Sequence, residues 1–98
     1  MQGYLANFRA QPVDSSTRTE LGLPDHGLTY KLSWVNQWKG RPTTPLRDGD
    51  VIIGIDGNRE STTLGDFTAR LFRESSGRTL QLTVIRDGRT ENFDVKIP

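Results

Sequence analysis

The chain of 98 residues contains one histidine and no cysteine. The absence of cysteine removes thiolate catalysis, thiolate metal ligation and disulfides together. The histidine, His26, stands in Pro24-Asp25-His26-Gly27, a set of residue types that favours a turn ahead of a strand over a positioned general base. Ser15, Ser16, Ser61, Ser75 and Ser76 fall in polar, turn-like stretches, and no Gly-x-Ser-x-Gly pattern sets one of them on a constrained bend. A small hydrolase would need Asp25, His26 and a turn serine to converge. Asp48, Asp50 and Asp56 lack the alternating ligands and distal glutamate of a calcium loop and read as turn aspartates. Neither Gly-x-Gly-x-x-Gly nor a Gly-Lys-Ser/Thr loop is present to cradle a phosphate. The expectation is a chain with no catalytic residue, no metal ligand set and no cofactor.

Composition narrows the partners. Charged residues make up 26% with both signs interspersed, and the net charge is +1, so the chain is not built as a polyelectrolyte and nucleic acid is not expected as a partner. Trp34 and Trp38 with Lys39, Arg41 and Arg47 form a basic, aromatic-containing region. Trp34 fits the buried face of a strand, whereas Trp38, in a Gly/Pro loop, either caps the core edge or stands out as a contact residue. Apolar runs such as Val51-Ile52-Ile53 fall far short of the roughly 20 residues of a membrane helix, so no membrane insertion is expected. The length allows one domain, residues 1–98. Apolar segments begin and end so near the termini that the domain reads as excised from a longer protein.

The elements that must position any site follow from periodicity. Residues 4–13 suit one half-buried strand kept at a sheet edge by Pro12. A helical turn over residues 17–21 is stopped by Gly22 and Pro24. Leu28, Tyr30, Leu32 and Trp34 alternate with polar residues and are predicted to share one sheet face. Residues 36–50 carry Gly40, Pro42, Pro45 and Gly49 and read as a surface loop. Val51–Ile55 is a short apolar run of the kind covered on both faces. Thr63 caps the main helix, with Leu64, Phe67, Leu71 and Phe72 at helical spacing and Gly77 beyond its end. Leu80, Leu82 and Val84, then Asp87-Gly88, then Phe93, Val95 and Ile97 spell a β-hairpin. The class is α+β, mostly β: about five to six strands in a small, partly open barrel or sandwich with one main helix capping it.

Residues 46–58, Leu-Arg-Asp-Gly-Asp-Val-Ile-Ile-Gly-Ile-Asp-Gly-Asn, resemble the central signature of PDZ domains. Glu20-Leu21-Gly22-Leu23-Pro24 followed by Gly27-Leu28, the helix around Asp66-Phe67, and the final hairpin are similar to those of bacterial high-temperature-requirement serine proteases. The resemblance implies the circularly permuted bacterial order and a non-catalytic, peptide-binding module of a protease-like parent. It implies a bacterial cell envelope or periplasm as the setting. Carried over residue by residue, it makes Tyr4, Leu5, Ala6, Asn7 and Phe8 the carboxylate-binding loop and pairing strand. Leu64, Thr68 and Leu71 become the helix side of the groove, with Leu64 facing the third-last ligand residue. Phe67 and Leu71 are equally readable as core. The implied partner is a peptide or protein C-terminus with apolar residues, or the parent protease domain. Ala6-Asn7 stands where the family has glycine and an aliphatic residue. That departure supports the alternative of a vestigial groove, in which the domain docks or oligomerises its parent protein.

Overall fold

The computed structural model describes residues 2–4, 8–24, 26–35, 44–74 and 77–97, and of residues 2–4, 73 and 74 only the backbone course. Among the described residues six strands lie in one sheet: β1 (Gln2–Tyr4), β2 (Arg9–Pro12), β3 (Tyr30–Ser33), β4 (Val51–Ile55), β5 (Thr79–Arg86) and β6 (Arg89–Lys96), in the spatial order β1-β6-β5-β4-β3-β2. All neighbouring pairs are antiparallel except β1 with β6. Two helices complete the fold, α1 (Ser15–Glu20) and α2 (Leu64–Ala69), the latter continued by a wider π-type turn over Arg70–Glu74. The α+β, mostly β class holds, and the sheet is not closed.

The single edge strand expected over residues 4–13 is two strands at opposite edges. Tyr4 lies beside Lys96 in the parallel pair, whereas Arg9 lies beside Ser33. Five residues span at most about 18 Å. A flat sheet would hold its outer strands five spacings, or about 24 Å, apart. The sheet therefore curls, bringing the edge at β2 back toward the edge at β1 and making a partly open barrel.

The hairpin forms where Asp87-Gly88 predicts it. Arg86 faces Arg89, and both turn residues have positive φ, 51° and 76°, as a two-residue type I′ turn requires. Alternation gives the sheet two apolar faces. Leu28, Tyr30, Leu32, Ile52, Ile55, Leu82, Val84, Phe93 and Val95 pack with Phe67 and Leu71 on the α2 face. Val51, Ile53 and Ile85 pack with Val13, Leu21 and Leu23 on the face of α1. Val51–Ile55 is accordingly buried throughout, as its continuous apolar run predicts. Strict alternation would put Ile52 and Ile55 on opposite faces, but a register shift between Ile52 and Gly54 returns both to the α2 core.

Trp34 departs from the predicted strand face. Its φ of 56° takes the backbone out of the extended region, and the indole is 62% exposed, while Leu28, Tyr30 and Leu32 are buried as expected. The bend is held by Asp48, whose Oδ1 accepts the Val35 N–H at 2.5 Å.

Candidate functional site

The β2 strand is the last in the sheet, so one side of its backbone has no strand partner among the described residues. The α2 helix packs beside it. That placement begins with the helix cap: Thr63 Oγ1 accepts the Asp66 N–H at 3.1 Å, satisfying a donor that the first turn leaves open. The buried Tyr30 ring stacks on Phe67 with centroids 4.4 Å apart, and its hydroxyl donates to the Thr62 carbonyl at 2.5 Å. One tyrosine on β3 thereby fixes both the segment entering α2 and the helix itself. Burial, reinforced by the Asp66 carboxylate, pushes the Tyr30 hydroxyl pKa up.

Between β2 and α2 the side chains sort clearly. Phe67 and Leu71, at 1% and 0% exposure, are core. Leu64 is 42% exposed and stands at the opening of the helix. Thr68 is exposed, and its hydroxyl donates back to the Leu64 carbonyl at 2.9 Å. At the other end Phe8 is half-buried against Phe72, with ring centroids 5.5 Å apart. Ala10, a small residue of β2, is partly buried against the core. Tyr4 ends β1, and Leu5, Ala6 and Asn7 lie outside the described residues, as does Trp38. Of the expected site residues, Phe8 thus packs on Phe72, Leu64 and Thr68 are exposed on α2, and Leu71 is buried in the core.

Electrostatics elsewhere support the frame of this cleft. Asp50, 1% exposed, receives Arg86 Nε at 2.8 Å and Nη2 at 2.6 Å, and accepts the Arg47 N–H at 2.9 Å. The fork geometry with Asp50 is the main reason the Arg86 guanidinium pKa is raised. Arg86 also donates to the Pro45 carbonyl at 2.6 Å and lies over Phe93, so it ties residues 45–50 to the hairpin. Asp48 and Asp56 are turn aspartates as expected, Asp56 accepting the Gln81 N–H at 2.9 Å. Sequence reasoning missed the role of Asp50, because its partner lies 36 residues away and only an intervening Arg on a neighbouring strand could have hinted at it.

Of the other charged groups, Arg9 is on β2, and Asp66 and Arg70 are on the helical segment. Arg9 sits over the Trp34 ring at 5.8 Å. Arg70 and Asp66 line a polar cavity of about 250 Å³ with Asn58, Glu60, Ser61 and Thr62. His26 is exposed in a bend, its carbonyl accepting from Arg18 at 3.1 Å. Among the described residues no cluster of three or more His, Asp or Glu side chains could hold a metal ion.

An exposed edge strand beside a capped helix, on an open sheet, is a frame for pairing with an extended peptide. The model of the PDZ domain family matches residues 35–97, from the end of the β3 bend through β6. The chain belongs to the PDZ domain family. PDZ domains are non-catalytic modules that bind peptides or protein C-termini and so mediate protein interactions. In this PDZ domain the matched region contains β4, α2, β5 and β6, whereas β1, the edge strand β2 and β3 precede it. No curated protein matches the sequence.

Proposed function

We propose that this PDZ domain captures apolar C-terminal segments by strand addition to the outer edge of β2, between that strand and α2. The observation that carries the reading is the outer edge of β2 lying beside a helix that exposes one large apolar residue, Leu64. The terminal carboxylate is taken by backbone N–H groups of Tyr4-Leu5-Ala6-Asn7, which need no cationic side chain for the purpose. The last ligand side chain packs toward Phe8 and Phe72 above Leu71, and the third-last packs on Leu64 beside Thr68. A few backbone hydrogen bonds at about 1 kcal/mol each and one or two covered side chains at about 2 kcal/mol, less ordering costs, place such binding near the micromolar range.

The domain is further proposed to be a single unit, residues 1–98, of a larger bacterial protease-like protein, serving substrate recognition or regulation. The support is the resemblance of Glu20-Leu21-Gly22-Leu23-Pro24 and Gly27-Leu28 to bacterial high-temperature-requirement proteases, together with the edge strand β2 preceding β3 to β6 in the chain. The binding reading is tested by fluorescence anisotropy with labelled octapeptides that differ only in the last residue. Valine, leucine or phenylalanine ends should bind far more tightly than aspartate or lysine ends. Equal affinity for all five would remove the apolar specificity.

A second reading, docking or oligomerisation of the parent, is favoured by Trp34, whose large exposed ring faces solvent with Arg9 over it. Sedimentation velocity separates the two. Docking through Trp34 to a second copy gives a dimer that Trp34→Ala abolishes, whereas peptide capture by a free domain gives a monomer at every concentration.

A further inference from the structure

The direction of the backbone groups along β2 can be read from its neighbours. In an antiparallel pair, residues alternate between those that exchange ladder bonds and those whose N–H and C=O point away. The Val13 N–H donates to the Thr29 carbonyl at 3.4 Å, and Gln11 opposite Lys31 and Arg9 opposite Ser33 fall in phase with it. Leu32, opposite Ala10, turns both of its groups the other way: its N–H donates to the Asp50 carbonyl at 2.8 Å and its carbonyl accepts the Gly49 N–H at 2.8 Å. Ala10 therefore points its N–H and C=O out of the sheet, and so does position 12, two residues on.

Position 12 is proline. There it costs the β2–β3 ladder nothing, but it leaves the outer edge with a carbonyl and no N–H. Consider a ligand strand antiparallel to β2 with its last residue opposite Phe8. Its third-last residue faces Ala10, where both ladder bonds can form. Its fifth-last residue faces Pro12, where its N–H can donate to the Pro12 carbonyl but its own carbonyl finds no donor. The next residue of the chain, Val13, is turned toward β3.

We propose that Pro12 closes the pairing edge of β2, so that this domain reads only about the last five residues of a C-terminal tail and takes no backbone contact from anything upstream. The inference rests on the strand-addition reading above and adds to it the length of ligand read and the residue that sets it. Its ligands are thus short tails that can leave the strand conformation immediately before those residues. A proline on the edge also discourages pairing between two copies of the sheet.

The test uses isothermal calorimetry with the 98-residue chain. The ligand is an N-acetylated octapeptide with a free C-terminal valine, selected from a randomised library for tightest binding, together with its N-acetylated pentapeptide and tripeptide truncations. The wild type should bind octapeptide and pentapeptide within about twofold of each other, since no hydrogen bond is lost between them. Pro12→Val, at an exposed strand position, restores one donor and should tighten octapeptide and pentapeptide about fivefold while leaving the tripeptide unchanged. A wild-type loss of tenfold or more between octapeptide and pentapeptide, or a Pro12→Val effect equal for all three lengths or absent from all, would overturn the assignment while leaving strand addition standing. Failure of every octapeptide to bind at millimolar concentration would remove strand addition and this inference together. The wild-type truncation series carries the test even if the variant does not fold.

Discussion

Replacing Leu64 separates what this side chain does for the fold from what it does for the ligand. Complete burial of a leucine side chain is worth about 1.5–3 kcal/mol. In the free domain Leu64 keeps 42% of its surface exposed, so a ligand that covers the remainder gains about 0.6–1.3 kcal/mol there. Leu64→Ala should therefore weaken an apolar-ended octapeptide about threefold to ninefold in Kd. Folding loses the other share, about 0.9–1.7 kcal/mol before correction, and the higher helix propensity of alanine offsets a few tenths of it. Leu64→Lys should weaken binding further, because covering the ammonium group removes it from water. Calorimetric titration gives Kd, and urea unfolding of the same samples gives stability. A Kd within twofold of wild type for Leu64→Ala, in a protein whose unfolding shows the expected modest loss, would refute the placement of Leu64 at the ligand.

Asp50→Ala leaves the partly buried Arg86 guanidinium without its main counterion and the Arg47 N–H without its acceptor, and should cost about 3 kcal/mol in urea unfolding. The double replacement Asp50→Leu with Arg86→Met should recover most of that loss, and a cost below about 1 kcal/mol for the single change would contradict the structural role of the pair. Tyr30 is held neutral by burial and by Asp66, so its folded pKa is raised. The associated stability is complete below the ordinary tyrosine value of about 10 and is lost as pH rises from there through the folded value. Urea midpoints followed upward from pH 8 should fall more steeply for wild type than for Tyr30→Phe, and parallel curves would contradict the shift.

Local chemistry made much of this fold legible. Asp87-Gly88 specifies its turn through two positive φ angles, and Thr63 specifies the start of α2 through one side-chain acceptor. Val51–Ile55 is a strand because its five residues are buried on both faces, and its run of apolar residues says so. Alternation misled at Trp34, and at Gly54 too the backbone leaves the ideal strand. At Trp34 a left-handed φ turns out a residue that period two places inside, and at Gly54 a register shift lets Ile52 and Ile55 share a face. Neither departure changes the residue types involved, so periodicity carries no trace of them. The split of residues 4–13 between two edges was invisible for another reason: pairing with β6 and with β3 depends on strands far along the chain. At the cleft, the spacing of Leu64, Phe67 and Leu71 identified a helix face but not which members are covered. Tyr30 stacking on Phe67 decides that, drawing Phe67 and Leu71 into the core and leaving Leu64 at the surface.

The central claim is that the outer edge of β2 and α2 capture a peptide by its free C-terminus. The most direct measurement is a backbone amide NMR titration of the domain with apolar-ended peptides, each compared with its C-terminally amidated twin. Strand addition with terminus capture predicts shifts at Ala10, Leu64 and the residues around Phe8 that appear with the free acid and vanish with the amide. Equal shifts from both twins, or none from either at millimolar peptide, would contradict it.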